Sequence, residues 1–155
     1  MSTHYKNDAH EKLILATWTK FSRAHNSVSQ VLRQDIEQQG CTPSQFGVME
    51  VLHHVGPLSV KEIGQKLLLT PSNMVTVIDN LVKQDLAKRV PCDHDRRSMI
   101  IHLTSKGETV IKIMFRKHLK AIMTCFGVLD EDELKSLGSI SRTLGLNQTR
   151  KDNKL

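Results

Sequence analysis

Aromatic side chains are scarce in this chain, with one Trp, one Tyr and four Phe among 155 residues. The core must therefore be largely aliphatic, which suits packed helices better than a β-sandwich. Cysteine is scarce as well. Cys41, Cys92 and Cys125 are odd in number, far apart and in no CxxC pair. That excludes the disulfide framework of a small secreted domain and fits a reducing cytosol. No long apolar run occurs, and the longest early one is "LILA" at residues 13–16. Neither a signal peptide nor a membrane span is expected, so the expected location is cytoplasmic. There is no internal repeat, no low-complexity segment and no polybasic block. The net charge of +6 is spread as +3 over residues 56–106 and +3 over 107–155, with the first 55 balanced. It permits an anionic partner, but the binding must come from folded geometry rather than a charged tail.

What is present is a series of helix signals. Residues 10–38 carry Ile14, Trp18, Phe21, Ala24, Val28, Val31, Leu32 and Ile36 at the three-and-four spacing of one long amphipathic helix, ending near Gly40. "TPSQ" then offers Thr42 as cap, Pro43 at the first helical position and Gln45 to close a capping box. The helix it opens carries Phe46, Met49, Leu52 and Val55 and stops at Gly56-Pro57. Ser59 and Glu62 make a second box before a short helix through Leu67. Thr70 and Pro71 start another, Pro71–Leu86, with Met74, Ile78, Leu81 and Val82 on one side. Two short helices joined by "LLT" have helix-turn-helix spacing.

"AKRV" and "SMIIHL" are β-rich runs that predict a two-stranded hairpin around "PCDHDRR". Thr104 caps a further long helix with Val110, Met114, Ile122 and Phe126 along one stripe. Asp130 with Glu133 opens a last helix through Leu144, and the tail from Asn147 reads as polar and frayed. The expected fold is mainly α with a small β-hairpin wing: a winged helix-turn-helix over residues 41–106, flanked by long helices at 1–40 and 107–155. The flanking helices have more apolar face than the central block needs, and a second copy of the chain is the simplest partner for it.

Opposite its apolar side, the Pro71–Leu86 helix carries Ser72, Asn73, Thr76, Asn80 and Lys83. Short neutral donors and acceptors suit a helix pressed into a DNA major groove, where Asn reads adenine and Ser or Thr serves several bases. An ordinary solvated face would more often hold Glu and Lys. At the hairpin tip, Arg96 and Arg97 can reach phosphates or a narrow minor groove, with Asp93 or Asp95 as a bidentate brace. A plain solvated loop is the competing reading. Metal binding by Cys92, Asp93, His94 and Asp95 is disfavoured, because adjacent residues in a strand or tight turn point apart.

The run "LTPSNMVTVIDNLVKQDLAKRVPCDHDRRSMIIHLTSKG" resembles the MarR family of bacterial winged-helix transcriptional regulators. "CTPSQFGVMEVL" and "LDEDELKSL" resemble the same family's second and last helices, so the likeness spans roughly residues 10–146. One departure is Asp85, where the family usually has Gly. The resemblance implies a homodimer built from the first and last two helices, bound to a pseudo-palindromic operator in double-stranded DNA. It implies that the Pro71–Leu86 helix reads the major groove and Arg97 the minor groove, with Arg96 and Asp95 beside it. It also implies that Asp79 pairs with a wing or strand arginine and supports the wing.

Many family members release DNA in response to a small aromatic acid, a metal or an oxidant, so a small aromatic or anionic effector is an expected partner. Trp18, Phe21, His25, Phe46 and His53 are the candidate ligand crevice, against a reading as core and interface residues. Cys92, close to Arg96 and Arg97, is the candidate redox thiol. No HxxxH or CxxC pair is present, and neither a metal site nor a cofactor is expected. An enzyme finds no glycine-rich phosphate loop, nucleophile elbow or metal-ligand pair here. A helical adaptor for another protein leaves the polar helix face and the wing unexplained.

Overall fold

The computed structural model describes residues 8–67, 71–92 and 99–152, with residues 71–72 and 148–152 described by backbone alone. The chain forms two compact units, one up to Leu119 and one from Lys120 onward.

The first unit begins with α1, Ala9–Gln38, a thirty-residue helix. It stops where Gly40 adopts φ 77, a left-handed turn open to glycine without strain. Ile36 is the residue of α1 that enters the core, while Leu13, Ile14, Trp18 and Val31 stay about half exposed or more. Helix α2, Pro43–Val55, starts with the box expected at Thr42. The Gln45 N–H donates to Thr42 Oγ1 at 3.2 Å and the Thr42 N–H donates to Gln45 Oε1 at 3.1 Å. Strand β1, Leu58–Ser59, leads into α3, Val60–Leu67. There Glu62 Oε2 accepts from the Ser59 N–H and hydroxyl at 2.8 and 2.7 Å. Those bonds, the hydroxyl's first, hold the Glu62 carboxyl below its usual pKa.

Helix α4 spans Pro71–Lys83, three residues short of the end that its sequence suggests. Its last turn closes as a Schellman motif, with Leu86 N–H on Leu81 O at 2.9 Å and Asp85 N–H on Val82 O at 3.0 Å. Asp85 holds the required left-handed position at φ 58. Thr70, its expected cap, lies outside the described residues. Strands β2, Ala87–Pro91, and β3, Met99–Leu103, form the predicted hairpin with Arg89 opposite Ile101 and Pro91 opposite Met99. The sheet has three strands rather than two. β1 pairs with the other side of β3, Leu58 opposite Ile101, giving the antiparallel order β1-β3-β2.

Helix α5, Ser105–Phe126, follows, and Thr104 Oγ1 accepts from the Gly107 N–H at 3.0 Å as its cap. The core is aliphatic, as the scarcity of aromatics requires. Val48 and Met49 of α2, Ile63 of α3, Met74, Ile78 and Leu81 of α4, Ile101 of β3 and Ile111 of α5 are fully buried. They come from five elements around one cluster.

In the second unit α6, Glu131–Asp152, opens with the Asp130–Glu133 box. Asp130 Oδ1 accepts from the Glu133 N–H, and Glu133 Oε2 accepts from the Asp130 N–H, both at 2.9 Å. The helical backbone continues past Asn147, where a frayed tail was expected. No Gly or Pro follows Gly145, and straight-chain residues such as Gln, Arg and Lys extend a helix readily. Leu134, Leu137, Ile140 and Leu144 of α6 are 38–65% exposed. Among the described residues, no helix is long and apolar enough to cross a membrane.

Candidate nucleic-acid interface

Helix α4 divides sharply into two sides. Met74, Ile78 and Leu81 have no exposed surface, because spacings of four and three put them on one stripe facing α2 and α3. Asn73, Thr76, Asn80 and Lys83 repeat at three, four and three on the other side, and all four are exposed. The structure thus brings four of the five contact residues expected on this helix onto one solvent-facing stripe, and the side chain of Ser72 lies outside the described residues. Val75 is 49% exposed and was not singled out in the sequence. An apolar residue there is the kind that packs on a thymine methyl group, and its position off the buried stripe was the available signal.

The helix is fixed behind this face at its middle and at its C-terminal end. Arg89 of β2 donates from Nη2 to Asp79 Oδ1 at 2.6 Å, tying the middle of α4 to the sheet. The Arg89 and Asp79 side chains keep 30% and 43% of their surface in water, so the pair orients more than it stabilises. At the C-terminal end, Lys106 Nζ donates to Gln84 O at 2.8 Å and the Thr104 hydroxyl donates to Asp85 O at 2.7 Å. These contacts satisfy helix-end carbonyls, and the Lys106 charge complements the helix dipole. Gly107 makes the close approach feasible, since a Cβ there would collide with the Leu86 carbonyl oxygen. Sequence reading missed this clamp because its halves are about twenty residues apart.

Asp93, His94, Asp95, Arg96 and Arg97 lie outside the described residues. Of the candidate wing, the described part is its two rails, paired as far as Pro91 and Met99. Cys92, just beyond β2, is half-buried.

The five candidate crevice residues fall into three settings. Trp18, Phe21 and His25 follow one another along the exposed side of α1, with ring centroids 6.4 and 6.3 Å apart. Phe46 is buried and meets His118 edge-on at 4.8 Å. His53 places Nδ1 2.8 Å from Glu108 Oε2 of α5. His118 Nδ1 lies 2.9 Å from Asp35 Oδ2, which links α5 to α1. Among the described residues, no three His, Cys, Asp or Glu side chains gather as a metal site.

Comparison with known proteins supplies the family. A model described as "MarR family" matches residues 39–98, from the turn before α2 through the wing segment. The HTH-type transcriptional regulator MhqR of Bacillus subtilis (strain 168) is 31% identical over 133 residues, which is 86% of this chain and 92% of MhqR. The HTH-type transcriptional repressor MdtR of the same organism is 32% identical over 115 residues, 72% of each chain. Among solved structures, Sco3205, a MarR family transcriptional regulator from Streptomyces coelicolor in complex with DNA, matches with a TM-score of 0.79 at 20% identity. The match covers 93% of this chain and 91% of that one. The fold, the matched segment and these relatives agree: the chain belongs to the MarR family of winged-helix transcriptional regulators.

Proposed function

We propose that this regulator is a repressor that binds a pseudo-palindromic operator as a homodimer, with its DNA affinity modulated by a small ligand. The observation that carries the reading is the two-sided α4, buried through Met74, Ile78 and Leu81 and solvent-facing through Asn73, Thr76, Asn80 and Lys83. Pressed into the major groove, Asn73 and Asn80 read adenine edges, Thr76 serves as a versatile partner and Lys83 neutralises phosphate. Arg97 enters the minor groove, with Arg96 and Asp95 beside it, and Asp79 holds Arg89 so that the wing keeps its place. The apolar faces of α1 and α6 meet their counterparts in a second copy. In this division, residues 41–106 bind DNA, and residues 1–40 and 107–155 dimerise. MdtR is named a repressor and Sco3205 was solved with DNA, which supports the reading for a relative of this kind.

The test is fluorescence anisotropy with the promoter DNA upstream of its own gene, with Arg97→Ala as the variant. We expect sequence-selective binding that weakens steeply with salt, and a loss of at least about tenfold in affinity for Arg97→Ala with the dimer intact. Selectivity absent at every salt concentration overturns the reading; wild-type affinity in Arg97→Ala overturns the wing's role.

A further inference from the structure

Among the described side chains of α4, Val75 is the apolar one exposed beside Asn73, Thr76, Asn80 and Lys83. Its neighbours Val77 and Val82 are drawn partly into the core cluster, whereas Val75 keeps 49% of its surface in water. Single exposed apolar residues are common on proteins, so its place on the helix decides what this one means. A β-branched residue at an exposed helical site is a poorer helix former than Ala, Lys or Glu. Val75 therefore adds little to the stability of α4. The helix backbone does hold its methyl groups in nearly one rotamer, which presents them as a fixed apolar surface.

Val75 is the fifth residue of α4, in the N-terminal half that a recognition helix turns to base edges. Each helical residue advances about 100° around the axis. With Thr76 at the middle of the solvent-facing side, Asn73 and Asn80 fall on one flank and Val75 on the other. Asp79, one turn further along Val75's flank, already accepts from Arg89 at 2.6 Å. Among the groups that bases present in a major groove, the apolar one is the C5-methyl of thymine.

We propose that Val75 reads thymine, its methyl groups packing on the C5-methyl of one thymine in each half-site. Asn73 and Asn80 on the opposite flank discriminate by hydrogen bonds, and Val75 adds a contact that hydrogen bonds do not supply. The assignment deepens the proposed function above and rests on it, because α4 must lie in the major groove. Covering one methyl group changes an affinity about fourfold, and two symmetric half-sites multiply the effect.

Replacing thymine by uracil removes that methyl and leaves the hydrogen-bonding groups of the base in place. Footprinting first fixes the site within the promoter DNA upstream of the gene. Duplexes are then made with each of its thymines replaced in turn by uracil. Fluorescence anisotropy with the full chain should find one position in each half-site where uracil weakens binding about fourfold. The loss should reach about tenfold or more when both half-sites carry uracil. Val75→Ala should bind the thymine and uracil duplexes alike at those positions. Ala favours the helix, so this variant should fold with an unchanged or higher unfolding midpoint. Selective binding that no uracil weakens, or a thymine preference that survives Val75→Ala, overturns the role of Val75 and leaves the proposed function standing. Absence of selective binding to any promoter duplex overturns both.

Discussion

Asp85 carries the clearest local strain. Its φ of 58 lies where glycine is unstrained and most side chains are not, although Asp tolerates it better than bulkier residues. Asp85→Gly should therefore stabilise the fold by about 0.5–1 kcal/mol, offset in part by the freer unfolded chain. In a chain of this length that raises the unfolding midpoint by about 2–4 °C, as calorimetry would record. An unchanged or lower midpoint would show that the Asp85 side chain compensates for its own backbone. Two titrating groups act at opposite ends of the pH scale. Burial pushes the Cys41 thiol above its usual pKa, against backbone N–H groups of Phe46 and Thr42 that pull it down. A raised folded pKa means that the neutral thiol favours the fold, fully so below the ordinary thiol value, and that the contribution is lost as pH rises through the folded one. At pH 8 Cys41 should accordingly react with iodoacetamide more slowly in the folded chain than in urea, as mass spectrometry of the labelled peptide would show. Equal rates would mean that burial does not protect it. For Glu62 the sign reverses: its folded pKa is depressed, so its contribution is present at neutral pH and fades as acid takes the pH down through the folded value.

At the scale of elements, the Asp79–Arg89 pair separates geometry from stability. Both partners are partly solvated, so a double-mutant cycle in thermal unfolding should give a coupling below about 1 kcal/mol. Under the proposed function, DNA affinity should still fall by about tenfold in Asp79→Ala, because α4 and the sheet lose their common setting. A large stability coupling with unchanged DNA affinity would make the pair a structural prop instead. Most element starts were legible beforehand, since Thr42–Gln45, Ser59–Glu62, Thr104 and Asp130–Glu133 are signals contained within four residues. β1 was not, because two residues cannot display a period of two and Leu58–Ser59 becomes a strand through distant β3. Arg89 was legible only as an unspecified strand or wing partner for Asp79, through family resemblance. The clamp from Thr104, Lys106 and Gly107 onto the end of α4 depends on tertiary approach and left no pattern in the chain. The residues on the polar side of α4 were legible because a helix repeats every 3.6 residues, which fixes the sides of α4 as soon as its axis is known.

For the molecule as a whole, the weight of exposed apolar surface lies on long helices. Leu13, Ile14 and Trp18 on α1, and Leu134, Leu137 and Ile140 on α6, are 38–65% exposed, more than a helix in water leaves open without a partner. Light scattering should give about 35 kDa, twice the 17.6 kDa chain. The pair Trp18→Asp and Ile140→Asp should return the mass to that of one chain and lower DNA affinity by at least about tenfold, as half-sites lose their avidity. A monomeric wild type would remove the homodimer from the proposal.

The sheet has a consequence for how such copies recognise each other. Its outer strands are β1, only two residues long, and β2, which carries solvent-facing Lys88 and ends on Pro91. A two-residue edge, a charged edge residue and a proline that has no N–H to offer all discourage a stray strand from adding to the sheet. The described sheet is thereby protected from the edge-to-edge sticking that leads to aggregation, and under the proposed function self-association falls to the helices.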